Sequence, residues 1–134
     1  MYKRGGTMFV SSRALGLLFT LIIGVGATPV DEISVTATVY HAVEGQTDDT
    51  PLITASGKHI DPSSPESHRW IAVSRDLEKL GFVFGAKVIV ECAGEMNGTW
   101  TVQDRMNRRW THRIDFLVNE DKMGKWENVT IKLK

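Results

Sequence analysis

The chain has 134 residues, 42% of them apolar, with 16 basic and 16 acidic side chains. That length and composition suit one compact domain and leave little room for a second. If the N-terminal segment described next is removed, three of the 16 basic and none of the 16 acidic residues go with it, leaving a formal charge of −3. This argues against a nucleic-acid partner, which calls for a clustered basic face.

Lys3, Arg4 and Arg13 give a positive start, and Ala14 to Val25 is an apolar run that ends in the small residues Val25-Gly26-Ala27. This is the layout of a secretory signal, so cleavage after Ala27 is expected, with residues 1–27 as signal peptide and 28–134 as the domain. The rival is a retained membrane anchor, but spanning a bilayer takes about 20 apolar residues and this run is shorter and contains glycine. No cysteine follows the run to carry a lipid. The expected protein is exported, to the periplasm, the cell wall or the exterior, without a stable membrane span.

Ile33, Val35, Ala37 and Val39 alternate with Ser34, Thr36, Thr38 and Tyr40, the period of a half-buried strand. Glu44 to Pro51 is polar and reads as a loop. Its Asp48 and Asp49 raise the question of a cation, but two acids in a polar loop are usually solvated, and no metal is assigned there. Leu52 to Gly57 turns at Ser56-Gly57, a brief extended piece follows at His59-Ile60, and Asp61 to Ser67 is a second turn-rich connection. Trp70-Ile71-Ala72-Val73 is a buried strand. Ser74 then has the position of an N-cap, opening a short helix to about Leu80 that Gly81 stops, with Asp76 in its first turn.

Lys87 to Cys92, Thr99 to Asp104 and Val129 to Leu133 are further strands, with Asn97-Gly98 as a hairpin-type turn before Thr99. Several short strands, glycine-rich turns and one small helix predict an all-β closed barrel. The sole cysteine, Cys92, has no internal disulfide partner and is expected to be buried in its strand. His41, His59, His68 and His112 lack the paired spacing of a zinc site and read as surface or hydrogen-bonding residues.

Two carboxylates eleven residues apart carry the strongest chemical signal: Asp104 in Thr101-Val102-Gln103-Asp104-Arg105 and Asp115 in Arg113-Ile114-Asp115-Phe116-Leu117. Both sit in apolar, β-prone sequence, where burying an acid is costly, and are candidates for acid/base chemistry. The alternative is structural, with the two acids paired to Arg105, Arg108, Arg109 or Arg113 to tie loops together. Of Trp70, Trp100, Trp110 and Trp126, those on strands suit a core. Trp110, in the polar, arginine-rich connection between the aspartates, is the best candidate for a stacking platform.

Thr36-Ala37-Thr38-Val39-Tyr40, Thr54-Ala55-Ser56-Gly57, Trp70-Ile71-Ala72-Val73-Ser74, Val102-Gln103-Asp104 and Arg113-Ile114-Asp115 follow one another in an order that resembles the Asp-Asp-Asp (3D) domain. That family includes the barrel domain of membrane-bound lytic transglycosylase A and small stationary-phase muralytic proteins. The likeness runs from about Val35 to Leu133. It implies a six-stranded double-psi β-barrel with one short helix, and cleavage of the β-1,4 bond between N-acetylmuramic acid and N-acetylglucosamine in peptidoglycan, without a cofactor.

Carried over by motif, the resemblance places the catalytic acid at Asp115 and the middle aspartate at Asp104, and makes Tyr40, Thr54 and Ser56 sugar-binding positions. The first family aspartate falls on Ser74, with Asp76 two residues later. Arg105-Met106-Asn107-Arg108-Arg109-Trp110 stands where the family often has a glycine-rich stretch. A non-catalytic polysaccharide-binding barrel of expansin-like type is the alternative, since it needs a cleft but no protonated acid.

Overall fold

A computed structural model describes residues 32–43 and 50–134. The expected signal segment and Asp48 and Asp49 lie outside the described residues. Six strands, β1 (Ile33–Tyr40), β2 (Trp70–Val73), β3 (Lys87–Glu91), β4 (Gly98–Arg105), β5 (Arg113–Leu117) and β6 (Lys125–Leu133), close into a barrel in the order β1-β5-β2-β4-β3-β6. Two pairings, β1 with β5 and β2 with β4, are parallel, and the other four are antiparallel. Among the described residues, helix is confined to α1 (Arg75–Glu78) and two short 3-10 turns, Pro65–His68 and Gly94–Met96. Among the described residues no helix is long and apolar enough to cross a membrane.

The interior follows from the period-two pattern, since alternate side chains of a strand point to the same face. Each strand sends two residues inward: Val35 and Ala37, Ile71 and Val73, Val88 and Val90, Trp100 and Val102, Ile114 and Phe116, Val129 and Ile131, all essentially without exposure. Phe116 sits among the large rings, 4.7 Å from Trp100 and 5.8 Å from Trp126. Trp100 is a core residue, its indole N–H donating to the Met96 carbonyl at 2.7 Å. Trp70 stacks on His68 instead, at 4.0 Å.

Two bulges interrupt the ladders. Between β1 and β6, Val35 pairs with Val129 but Ala37 pairs with Trp126, so β6 carries an extra residue. Asn128 lies there at φ 55, a left-handed conformation that asparagine tolerates better than most residues. The strand predicted from Val129 therefore begins four residues earlier, because the bulge breaks the alternation that would have revealed it. Between β2 and β4, Ile71 pairs with Val102 but Ala72 pairs with Asp104, which leaves Gln103 as the extra residue.

Ser74 is the N-cap of α1, as expected, with extended cap geometry, although its hydroxyl makes no capping bond; its oxygen accepts the Arg113 N–H at 3.0 Å, and the Ser74 N–H donates to the Arg113 carbonyl at 2.9 Å. Three local expectations are corrected. The helix ends at Glu78 because the N–H groups of Leu80 and Gly81 reach back three residues, to Leu77 and Glu78, in the tighter winding of a 3-10 turn. Asn97-Gly98 is not a two-residue hairpin: residues 92–97 link β3 to β4, and the Asn97 side-chain oxygen accepts the Ala93 N–H at 2.7 Å. Cys92 falls just past β3 at φ 67 and is exposed rather than buried.

Phe116→Ala would leave a cavity between Trp100 and Trp126 that the closed wall cannot fill by collapse. The expected loss is about 3–5 kcal/mol of unfolding free energy, read from urea denaturation.

Candidate functional site

The outer face of the wall brings the two aspartates together. Thr38 of β1 pairs with Asp115 of β5, Asp115 pairs with Ala72 of β2, and Ala72 pairs with Asp104 of β4. These four residues form one row across four neighbouring strands. At the usual strand spacing the two aspartate Cα atoms stand about 10 Å apart with Ala72 between them. The methyl of Ala72 is the smallest side chain in the row, so it leaves the floor open, and a cavity of about 430 Å³ lies over it. Tyr40, Asp104, Asp115 and Ala72 line it from the barrel, while Ile53 and Trp110 come from the connections on either side.

The bulge at Gln103 makes this arrangement. Trp100 and Val102 point inward, and strict alternation would send Asp104 inward after them. The extra residue reverses the parity, and Asp104 emerges on the outer face opposite Ala72.

The two carboxylates have different surroundings. Asp104 accepts three hydrogen bonds: from the Tyr40 hydroxyl at 3.0 Å, from the Ala55 N–H at 3.0 Å and from its neighbour Arg105's N–H at 2.9 Å. Among the described residues Asp115 has a single donor, the Thr38 hydroxyl. Burial pushes the Asp115 carboxyl above its ordinary value; the Thr38 hydrogen bond and the Arg113 guanidinium pull the other way, and the charge of Asp104 adds to the rise. Burial, the Asp104 charge and the hydrogen bond to it, and the charge of Asp115 hold the Tyr40 phenol well above its normal value, so it remains a proton-bearing donor.

The arginine-pairing alternative does not match this geometry. Among the described residues, neither Asp104 nor Asp115 has an arginine within ion-pair distance. Arg105 pairs with Glu78 at 2.6 Å, and Arg113 influences Asp115 only through space. Asp76 lies elsewhere: its carboxylate accepts the His112 N–H at 3.0 Å and pairs with that imidazole at 3.3 Å. Among the described residues no group of three or more His, Cys, Asp or Glu is arranged to hold a metal ion.

Of the expected sugar-binding residues, Tyr40 and Trp110 line the cavity and Thr54 and Ser56 do not. The Thr54 and Ser56 hydroxyls bond each other at 2.9 Å, and the Thr54 oxygen accepts the Lys58 N–H at 3.0 Å. They shape the turn that aims the Ala55 N–H at Asp104. Tyr40 spends its hydroxyl proton on Asp104, and the Trp110 ring carries Arg113 at 4.1 Å and Arg109 at 4.8 Å from its centre. Trp110 therefore holds arginines in this structure instead of presenting a bare face.

Sequence reasoning passed over Thr38, Ala72 and Arg75 as site residues and gave Arg109 only as a possible ion-pair partner of the acids. Thr38 shares its outward parity with Tyr40, which is a usable signal. Ala72 joins the row through pairing between distant strands, and Arg75 reaches the cavity from the start of α1. Comparison of the sequence with protein-family models and with curated proteins finds no match.

Because the folded protein resists ionising Asp115, the contribution of this group to stability is greatest below the unfolded-state value of about 3.9, falls as pH rises from there through the folded value, and stays lower above it. Asp115→Asn removes that penalty and keeps an oxygen for the Thr38 hydroxyl. The variant is expected to be more stable than wild type at pH 7 and to lose the advantage below about pH 4, as urea unfolding at both pH values would read. An equal gain at both would contradict the assignment.

Proposed function

We propose that this protein is an exported, peptidoglycan-cleaving lytic transglycosylase on a double-psi β-barrel, with Asp115 as its acid and base. The parallel pairs β1–β5 and β2–β4, joined by the antiparallel pair β2–β5, support that type of barrel. The motif order from Thr36 to Asp115 supports the activity.

One observation carries the division of labour: every partner of Asp104 is a donor, whereas Asp115 has one donor and a raised affinity for its proton. Ordinary glycoside hydrolysis uses two carboxyl groups, one to protonate the leaving oxygen and one to activate water or attack the sugar. An intramolecular transfer needs one group in two roles. The Asp115 carboxyl gives its proton to the glycosidic oxygen as the bond from C1 breaks. The carboxylate left behind then takes the proton of the muramyl C6 hydroxyl as that oxygen bonds to C1. A 1,6-anhydro sugar and a new chain end result, and Asp115 regains its proton. Asp104, fixed by Tyr40 and two backbone N–H groups, contributes negative charge that raises the proton affinity of Asp115 and stabilises positive charge developing on the sugar.

The hydrogen bond from Thr38 favours the alternative, an expansin-like barrel that binds wall polysaccharide without cleaving it. It stabilises the ionised form of Asp115, and a binding cleft has no use for a protonated acid.

Mass spectrometry of soluble products from purified peptidoglycan separates the two readings. Wild type is expected to release anhydro-muropeptides, and Asp115→Asn to release roughly 100-fold less or none. Asp104→Asn is expected to retain more activity than Asp115→Asn. Binding to sacculi with no product from wild type would establish the non-catalytic barrel instead.

A further inference from the structure

The cavity has a second charged feature that the proposed chemistry does not use. Arg75, at the start of α1, and Arg109, in the connection between β4 and β5, both line it and are both exposed. A third arginine of the lining, Arg105, is neutralised by a two-pronged contact with Glu78 at 2.6 and 3.2 Å. Arg75 and Arg109 are not. Among the described residues no carboxylate lies within ion-pair distance of either. The Arg75 Nε–H has only the Met106 carbonyl, at 3.5 Å, the outer limit of a hydrogen bond.

Arg109 lies against the Trp110 ring at 4.8 Å, a contact that limits the freedom of a long side chain before any ligand arrives. Arg113, against the same ring, leaves its buried Nε–H without an acceptor. Guanidinium groups are the side chains best matched to a planar carboxylate, which they bind through paired N–H donors. The cavity lining therefore combines the aspartates with two guanidinium groups that have no carboxylate partner among the described residues and that attract an anion.

We propose that Arg75 and Arg109 form a carboxylate subsite, so that the ligand of this cavity is a glycan bearing a carboxylate close to the bond presented to Asp115. This rests on the reading of the cavity as a glycan site. A carboxylate held by these arginines fixes the direction in which the glycan lies over the cavity floor. Two sources share the chemistry: an acid group on the sugar ring, or the carboxylates of an attached peptide.

The test is calorimetric titration of the Asp115→Asn protein, chosen to suppress any turnover, with four defined oligosaccharides of equal length. They are a neutral N-acetylglucosamine oligomer, a glycan with ring-attached lactyl carboxylates, the same glycan with those carboxyls amidated, and a glycan carrying short peptides. The carboxylated glycan is expected to bind roughly tenfold tighter than its amidated and neutral counterparts. That preference should shrink as salt is raised and vanish when Arg75→Gln and Arg109→Gln are added.

A preference seen only with the peptide-bearing glycan, and lost with the same substitutions, supports the subsite and assigns the carboxylate to the peptide. Equal binding of the carboxylated, amidated and neutral glycans overturns the subsite and leaves the glycan site standing. Failure of all four to bind overturns both. Arg75 and Arg109 are exposed, so their variants should fold as the parent does, which the unfolding midpoint would show.

Discussion

A single extra residue in β4 decides on which side of the barrel wall Asp104 lies. With Gln103 accommodated in a bulge, Val102 stays in the core opposite Ile71, while Asp104 faces outward opposite Ala72. Without it, the carboxylate would follow Trp100 and Val102 into an interior made of apolar side chains, where an ionised group is too costly to keep. The cavity, the row of four paired residues and the proximity of the two acids all depend on that change of parity.

The wall and the site have divided the strands between them. Inward positions are filled by two residues from each strand, and the volume is shared unequally, with Trp100 and Phe116 offset by Ala37. Outward positions on β1, β5, β2 and β4 carry the polar row. The absence of bulk at Ala72 matters as much as the acids beside it, since a larger side chain would fill the floor between them. Surroundings then separate two chemically identical groups: three donors converge on Asp104, whereas Asp115 is buried with one donor and its carboxyl is raised above its ordinary value.

Much of the barrel was legible in local pattern. The alternation from Ile33 to Tyr40 gives β1 its faces, and the short apolar run at Trp70 gives β2. Legibility failed where the pattern is locally broken: at Asn128, whose left-handed backbone hides the first half of β6, and at Cys92, whose positive φ takes it out of β3. The site was legible in its acids and in Tyr40 and Trp110 as lining residues. That Tyr40 and Thr38 each serve one of the acids, and that Thr54 and Ser56 bond each other and not the cavity, depends on contacts between segments far apart in sequence. Ser74 illustrates the difference, since its sequence context predicts a helix cap while its hydroxyl is taken by a strand that arrives 39 residues later.

Both acids take a hydroxyl from the same strand, Thr38 to Asp115 and Tyr40 to Asp104, across sequence separations of 77 and 64 residues. Such contacts form only after long stretches of chain have been ordered, and topologies rich in them fold slowly. A nascent or partly unfolded chain therefore has its acids without the groups that set them. Closure of the barrel by β1 brings both hydroxyls to the acids, so that their unequal surroundings exist only once the wall is complete.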